Sequence, residues 1–578
     1  MLFSYETLSR QSHYLMSKTK PTVKSFWLVL WTCTLAPAWL LPNHYWPWLS
    51  FHSDAWVALA FSVLSAVIIW RECGPVAWHR ITVLVGLLAL MPWLQYGFGL
   101  IQQAGVAWIS CAYLVGLLLA LLTGARWESS SPGQLGDGLF LAIGLAALLS
   151  VGLQLQQWLQ LDGLELWTMG GNADRPHANF GQPNQLATFL LWGLLATMWG
   201  LMRQRIAGGI ALLMAVYLLF GIALTASRTA WLGVALLVAA IWWWRHLWTN
   251  KLLPWIATGL ALYFLLCLAA LSWWQHASAI ILQTGLSDLA RMSGELRPLA
   301  WATFLDAAWQ RPFFGYGWNQ VALAQMAVAT EHPGLHSVFT YSHNLFLDLV
   351  LWCGVPVGLL VAMALLRWFW KRIYAVQSSE NAVLLMFLLV LASHAMLELP
   401  LYYAYFLLPA GLVMGSLHTR LKVCPIMVTG RRVSFALWLT ATTLLVLIIR
   451  DYSRIETSYQ TLRLEWARIK ITMPVGPPDV LLLTQWRDYI SYARIEPKAG
   501  LSADELDWMR NITGLHPSAI LIHKLATILA MNQRPDEARR WLQRLCKITP
   551  ETDCLSVKTI WAKQALRHPE VDAVEWPN

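Results

Sequence analysis

Four short polar clusters interrupt an otherwise apolar chain, and their residue types suit an anionic, hydroxyl-rich substrate. The first holds Arg175, His177, Asn179, Gln182 and Asn184, with Gly181 and Pro183 permitting a tight turn into an apolar run. A helix N-terminus presents unpaired N–H groups that favour an anion; Asn184 alone is also explained as a helix N-cap. The second is Ser227–Arg228, an arginine wedged between two apolar runs. There it needs an anionic partner, either a lipid phosphate or a phosphorylated substrate. The third places Arg291, Glu295 and Arg297 before an amphipathic stretch with Trp301 and Trp309, followed by a glycine-bracketed turn carrying Tyr316 and Trp318. A guanidinium fork bonds two phosphate oxygens at once, and the rings either stack on sugar faces or belt a membrane interface. The fourth is His343–Asn344, at the mouth of a further apolar run. Its imidazole serves as a base or proton shuttle near neutrality, or is an ordinary interfacial residue. A smaller group, His394, Glu398 and Tyr402–Tyr403, adds a second carboxylate.

The elements that must position these residues are membrane helices. Of 578 residues, 57% are hydrophobic and 12% charged, against about 25% charged in a soluble domain. The 36 tryptophans suit membrane interfaces. The net charge of +10 is scattered over short loops, which is a topological signal and does not indicate nucleic-acid binding. The first apolar run lacks a convincing cleavage site and reads as a retained anchor. The eight cysteines form no zinc-type pair of CxxC motifs; Cys33, Cys111, Cys267 and Cys353 lie in apolar segments as packing residues.

Apolar runs long enough to cross a bilayer, roughly 16–25 residues each, fall near 25–41, 55–70, 81–97, 105–123, 138–154, 185–202, 208–224, 229–244, 252–272, 342–366, 382–396, 401–417 and 433–449. The expectation is an all-α polytopic membrane protein of about 13 transmembrane helices. With residues 1–24 cytoplasmic, Lys and Arg up to residue 449 divide 18 inside to 5 outside. The large loop 273–341 and the region 450–578 then face the periplasm, as do all four polar clusters.

The last 129 residues carry 18 Lys+Arg and 16 Asp+Glu, so they read as a soluble domain. Apolar residues recur at helical spacing in "HPSAILIHKLATILAMNQRPDEARRWLQRLCKITP", the pattern of a tetratricopeptide-like helical hairpin. Cys546 and Cys554 are either disulfide-bonded in an oxidising compartment or two buried thiols.

The clusters together describe an outer-face cavity of arginines, histidines, amides and aromatics without a clear metal-ligand group. A lipid-linked sugar diphosphate fits it. A polytopic transporter or flippase would instead place charges near the bilayer midplane and carry inverted repeats, and neither is clear in the sequence.

The strings "HANFGQPNQLA" (177–187), Ser227–Arg228, "RPLAW" (297–301), "PFFGYGWNQ" (312–320) and "SHN" (342–344) resemble the bacterial O-oligosaccharyltransferases of the PglL type, within the superfamily of O-antigen ligases and Wzy polymerases. The first string favours the protein-glycosylating branch over lipopolysaccharide ligases, which share the donor but attach O-antigen to lipid A–core. The resemblance implies transfer of a preassembled glycan from undecaprenyl diphosphate to Ser or Thr of a periplasmic, pilin-like or other, acceptor protein. It implies His343 as the essential residue, diphosphate binding by Arg228 and Arg297, no cofactor and no metal.

Overall fold

The computed structural model describes residues 23–71, 74–170, 174–282, 289–469 and 476–577. The expected cytoplasmic segment 1–24 therefore lies, except for its last two residues, outside the described residues. The described chain is almost wholly helical; its extended pairing joins Val76–Trp78 antiparallel to Met427–Thr429. Helix is the form an apolar chain must take in lipid, because each backbone polar group finds its partner within the same segment.

Among the described residues, eight helices are long and apolar enough to cross a membrane: Phe51–Arg71, Arg80–Gly97, Ala104–Ser130, Gln134–Leu159, Pro183–Met202, Leu253–Trp274, Leu345–Ala375 and Arg431–Trp466. The other expected spans coincide with shorter helices, among them Gly208–Leu224, Arg228–Trp243 and Ser379–Ala395. The chain is thus an all-helical, polytopic membrane protein.

Small residues let two helices meet backbone to backbone. A Cβ on Gly124 of Ala104–Ser130 would sit 2.0 Å from the Leu412 carbonyl oxygen, and one on Gly415 of Ala404–Arg420 would sit 2.0 Å from that of Leu121. Such close approach favours helix association in lipid, where apolar burial drives little. Aromatic packing fills the neighbouring core; Trp192 stacks on Phe387 with ring centroids 3.8 Å apart.

The Leu345–Ala375 helix is broken at Gly354 (φ 79°, ψ 167°), two residues before Pro356. The groups freed by the break are taken up by the turn 312–318. Tyr316 N–H donates to the Leu351 carbonyl at 2.7 Å, and Val355 N–H donates to that of Pro312 at 2.7 Å. A Cβ on Gly354 would meet the Phe313 carbonyl oxygen at 2.2 Å. The half-helix from Leu345 to the break is therefore clamped from the side by the large loop.

The composition shift at Arg450 does not end a helix. Arg431–Trp466 runs straight through it, and the fully buried Asp451 accepts the N–H groups of Leu481, Leu482 and Leu483. Beyond it, Ala519–Met531 and Pro535–Ile548 form the expected helix pair over a core of Leu521, Leu525, Leu542 and Leu545. A disulfide joins Cys546 to Cys554.

Candidate active site

The first, second and fourth polar clusters sit where a helix begins, whereas Arg297 lies within the helix Leu289–Gln310. Pro183 occupies the first turn of its helix, so Gln182 takes the N-cap position, with extended backbone and no side-chain cap. Asn184 is thereby released from capping. Its Nδ2 donates to Glu398 Oε1 at 3.2 Å, and its Oδ1 accepts from Ser227 Oγ at 2.7 Å. Ser227 Oγ in turn accepts from Ala230 N–H, capping the helix whose first residue is Arg228. Asn344 caps its own helix, its Oδ1 accepting from the backbones of Phe346 and Leu347.

His343 stands one residue before that cap with φ +61°, a conformation non-glycine residues rarely adopt. It is held from both sides: Ser342 N–H donates to Asp348 Oδ1 at 2.7 Å, and Trp301 Nε1 donates to the Ser342 carbonyl at 2.9 Å. The imidazole Nδ1 lies 3.1 Å from Glu398 Oε2. Left-handed non-glycine backbone also occurs at Ala226, just before Ser227, and at Ala178 in the first cluster. Strained backbone of this kind persists only where surrounding structure fixes it, and it gathers at functional sites.

Glu398 is the hub. It lies in the short turn after Ser379–Ala395, is 4% exposed, and bonds His343, Asn184 and Arg297 Nη2. Burial pushes its carboxyl up, but the bond from His343 and the charges of His343, Arg297 and His394 outweigh that and hold it below the usual carboxylate range. An ionised carboxylate only accepts, so Nδ1 of His343 carries a proton, and in the neutral ring Nε2 is the lone-pair nitrogen. No described residue hydrogen-bonds that Nε2, and the His343 side chain is 17% exposed.

Arginines surround this unit. Arg297 Nε is buried without a hydrogen-bond partner. Arg175 Nε donates to the Thr225 carbonyl at 3.3 Å, and burial lowers the Arg175 guanidinium pKa while Glu398 raises it and Arg228 lowers it. Arg228 is exposed. His177, half-buried beside Arg175, is lowered chiefly by burial. The side chains of Arg291 and Glu295 lie outside the described residues.

Four of the sequence-selected residues stand elsewhere. Asn179 is buried, with Nδ2 on the Leu40 and Trp167 carbonyls and Oδ1 on Met169 N–H, so it locks loops together instead of lining a pocket. Tyr316 and Trp318 are buried where the turn meets the broken helix, Trp318 lying 4.9 Å from Trp352. Tyr402 packs below the site between Tyr341 and Trp352 with its hydroxyl buried and unpartnered. The supporting residues that sequence reasoning missed are polar side chains inside apolar helices. Gln157 accepts from His177 and Ala178 N–H and donates to the Met169 and Ala178 carbonyls, fixing the first cluster. Thr188 bonds the buried His394 at 2.9 Å, one turn before Glu398. A lone Gln or Thr in an apolar run was the available signal.

Comparison with known proteins places the chain in a family. Residues 176–199 match the family model described as protein glycosylation ligase, 213–362 that of O-antigen ligase, and 382–560 that of virulence factor membrane-bound polymerase, C-terminal. The chain is 31% identical to a general O-oligosaccharyltransferase of Acinetobacter baylyi over 543 residues, covering 91% of this chain and 93% of the relative. It is 29% identical over 248 residues to a ComP-specific O-oligosaccharyltransferase of the same organism, covering 43% and 44% respectively. With that relationship spanning nearly the whole chain, the protein belongs to the O-oligosaccharyltransferases, membrane glycosyltransferases of O-linked protein glycosylation.

Proposed function

We propose that the chain transfers a preassembled oligosaccharide en bloc from undecaprenyl diphosphate to a Ser or Thr hydroxyl of a periplasmic or pilin-like protein, with His343 as the general base. The observation that carries this reading is the His343–Glu398–Arg297 unit, with Arg175 and Arg228 beside it. His343 Nε2 takes the acceptor hydroxyl proton as that oxygen bonds the anomeric carbon. The bond from the anomeric carbon to the diphosphate breaks, and undecaprenyl diphosphate leaves with the bonding electron pair. Arg228, Arg297, Arg175 and Arg291 neutralise the leaving diphosphate, which is the charge compensation a metal would otherwise supply. His177, Gln182, Asn184 and Asn344 border the glycan or acceptor.

In this reading the chain spans the inner membrane about thirteen times, with the N-terminus in the cytoplasm. The site, the large loop and a tetratricopeptide-like domain over 450–578 then lie in the periplasm. The 18-to-5 division of basic residues supports that orientation.

The test is co-expression with a defined lipid-linked glycan and candidate acceptor proteins, followed by intact-mass measurement. An acceptor heavier by one whole glycan is the expected result; modified lipid A–core with unmodified protein overturns it in favour of an O-antigen ligase.

A further inference from the structure

We propose that His336 is a positioning residue for the transfer reaction, holding the strap that delivers His343 by gripping the disulfide-closed loop between Cys546 and Cys554. The proposal rests on the reading of His343 as the base.

The strap is residues 329–342, which join the Val321–Val328 helix to His343. His336 lies at its middle with φ +47° and makes three contacts to one short segment. Its N–H donates to the Lys547 carbonyl at 3.0 Å, and its Nδ1 is 3.4 Å from the Thr549 carbonyl. Its Nε2 is 3.8 Å from Glu551 Oε1. A carbonyl only accepts, so Nδ1 donates to Thr549. The Glu551 contact is exposed and contributes little. All three partners lie inside the eight-residue interval that the disulfide closes, with Cα atoms 5.0 Å apart.

From His336 the fixation continues to the site. Gln325 Nε2 donates to the Ser337 carbonyl at 2.8 Å, and Gln325 Oε1 accepts from Phe339 N–H at 2.8 Å. The Phe339 ring lies 5.5 Å from that of His343. Upstream, Met326 and Ala329 are buried in the same core as Leu506, Ile512 and Leu545 of the C-terminal region. The strap is therefore pinned at its start, its middle and its end, and the middle pin joins a backbone bond of His336 to the contacts of its imidazole. His336 and His343 both hold left-handed backbone, so a strap freed at its middle relaxes toward commoner conformations and carries the imidazole with it.

The experiment uses the full-length protein in lipid nanodiscs with a lipid-linked oligosaccharide and a purified acceptor. His336→Ala is expected to lower kcat about 10-fold with KM for the donor unchanged, the size of effect small misplacements of reacting groups produce. His336→Asn should recover most of that loss, because Asn tolerates left-handed backbone and carries an amide donor. Cys546→Ser/Cys554→Ser should lower kcat comparably, and combining it with His336→Ala should add little further loss, as for residues acting in one unit. Amide exchange over 330–342 should quicken in both. Wild-type kcat in His336→Ala, or losses that multiply in the combined variant, overturns the proposal. His343→Ala is assayed alongside: if it stays active the base assignment has failed, and the exchange data alone judge the strap. If it is inactive while His336→Ala is normal, only the strap has failed.

Discussion

Glu398 aims His343: Oε2 of the buried carboxylate sits 3.1 Å from the imidazole Nδ1, while Oε1 is shared by Arg297 and Asn184. One carboxylate thereby fixes the tautomer of the imidazole and the place of an arginine. Replacing Glu398 by Gln presents an amide N–H where an acceptor is required and frees Nδ1 to become the lone-pair nitrogen. The expected outcome is a fall in kcat of about 100-fold or more, with membrane insertion intact, read as glycan transfer to acceptor per unit of purified enzyme. Activity near wild type would remove the orienting role of Glu398.

The two best-placed arginines are expected to differ. Arg228 is exposed, so Arg228→Ala should raise the donor KM without changing thermal stability, and Lys should restore only part because it lacks the bidentate fork. Arg297→Ala strands a buried carboxylate, which costs about 3 kcal/mol or more. It should lower both activity and melting temperature in detergent. Equal melting temperatures for the two variants would contradict this.

The break at Gly354 makes a stability prediction. Alanine there meets both an unfavourable positive φ and a carbonyl oxygen at 2.2 Å, so Gly354→Ala should destabilise by about 3 kcal/mol or more. Detergent-solubilised variant should elute as aggregate or melt well below the parent; an unchanged melt means the turn moves aside without cost.

His516 gives the C-terminal region a pH dependence. It packs, half-buried, against Trp486 and Tyr489, its Nε2 has no hydrogen-bond partner, and desolvation lowers its pKa from 6.5 to about 4. The neutral ring is what the fold accommodates. Its contribution is therefore complete above pH 6.5 and lost as pH falls from 6.5 toward 4, amounting to about 3 kcal/mol. His516→Phe should flatten the decline in stability of residues 476–577 over that interval, measured by amide exchange. A decline of undiminished steepness would rule His516 out.

Much of this was legible because bilayer physics writes itself into sequence. Each expected span falls on helix, since an apolar run in lipid has no alternative form. His343 stood out as a polar residue at the lip of such a run. What the chain hid were pairings across long separations: nothing local says that Asn184 meets Glu398, 214 residues away. The alternative reading of Asn184 as a helix cap falls because Pro183 in the first turn moves the cap to Gln182. Tyr316 and Trp318, on a turn bracketed by glycines, are expected to stack on sugar faces or belt an interface. Those glycines instead allow the turn to press against a broken helix, which buries both rings. The boundary expected at residue 450 followed a change in polarity, and a helix need not stop where its solvent changes.

The far-flung partners of Glu398 also bear on biogenesis. Asn184, Arg297 and His343 precede it in the chain, so a nascent polypeptide has each of them, already at the membrane, before the carboxylate that gathers them has been synthesised. Until residue 398 leaves the ribosome and its turn is inserted, the imidazole lacks the carboxylate that orients its Nδ1. The cluster around Glu398 is therefore completed only late in synthesis, when its last member joins three that are already in place.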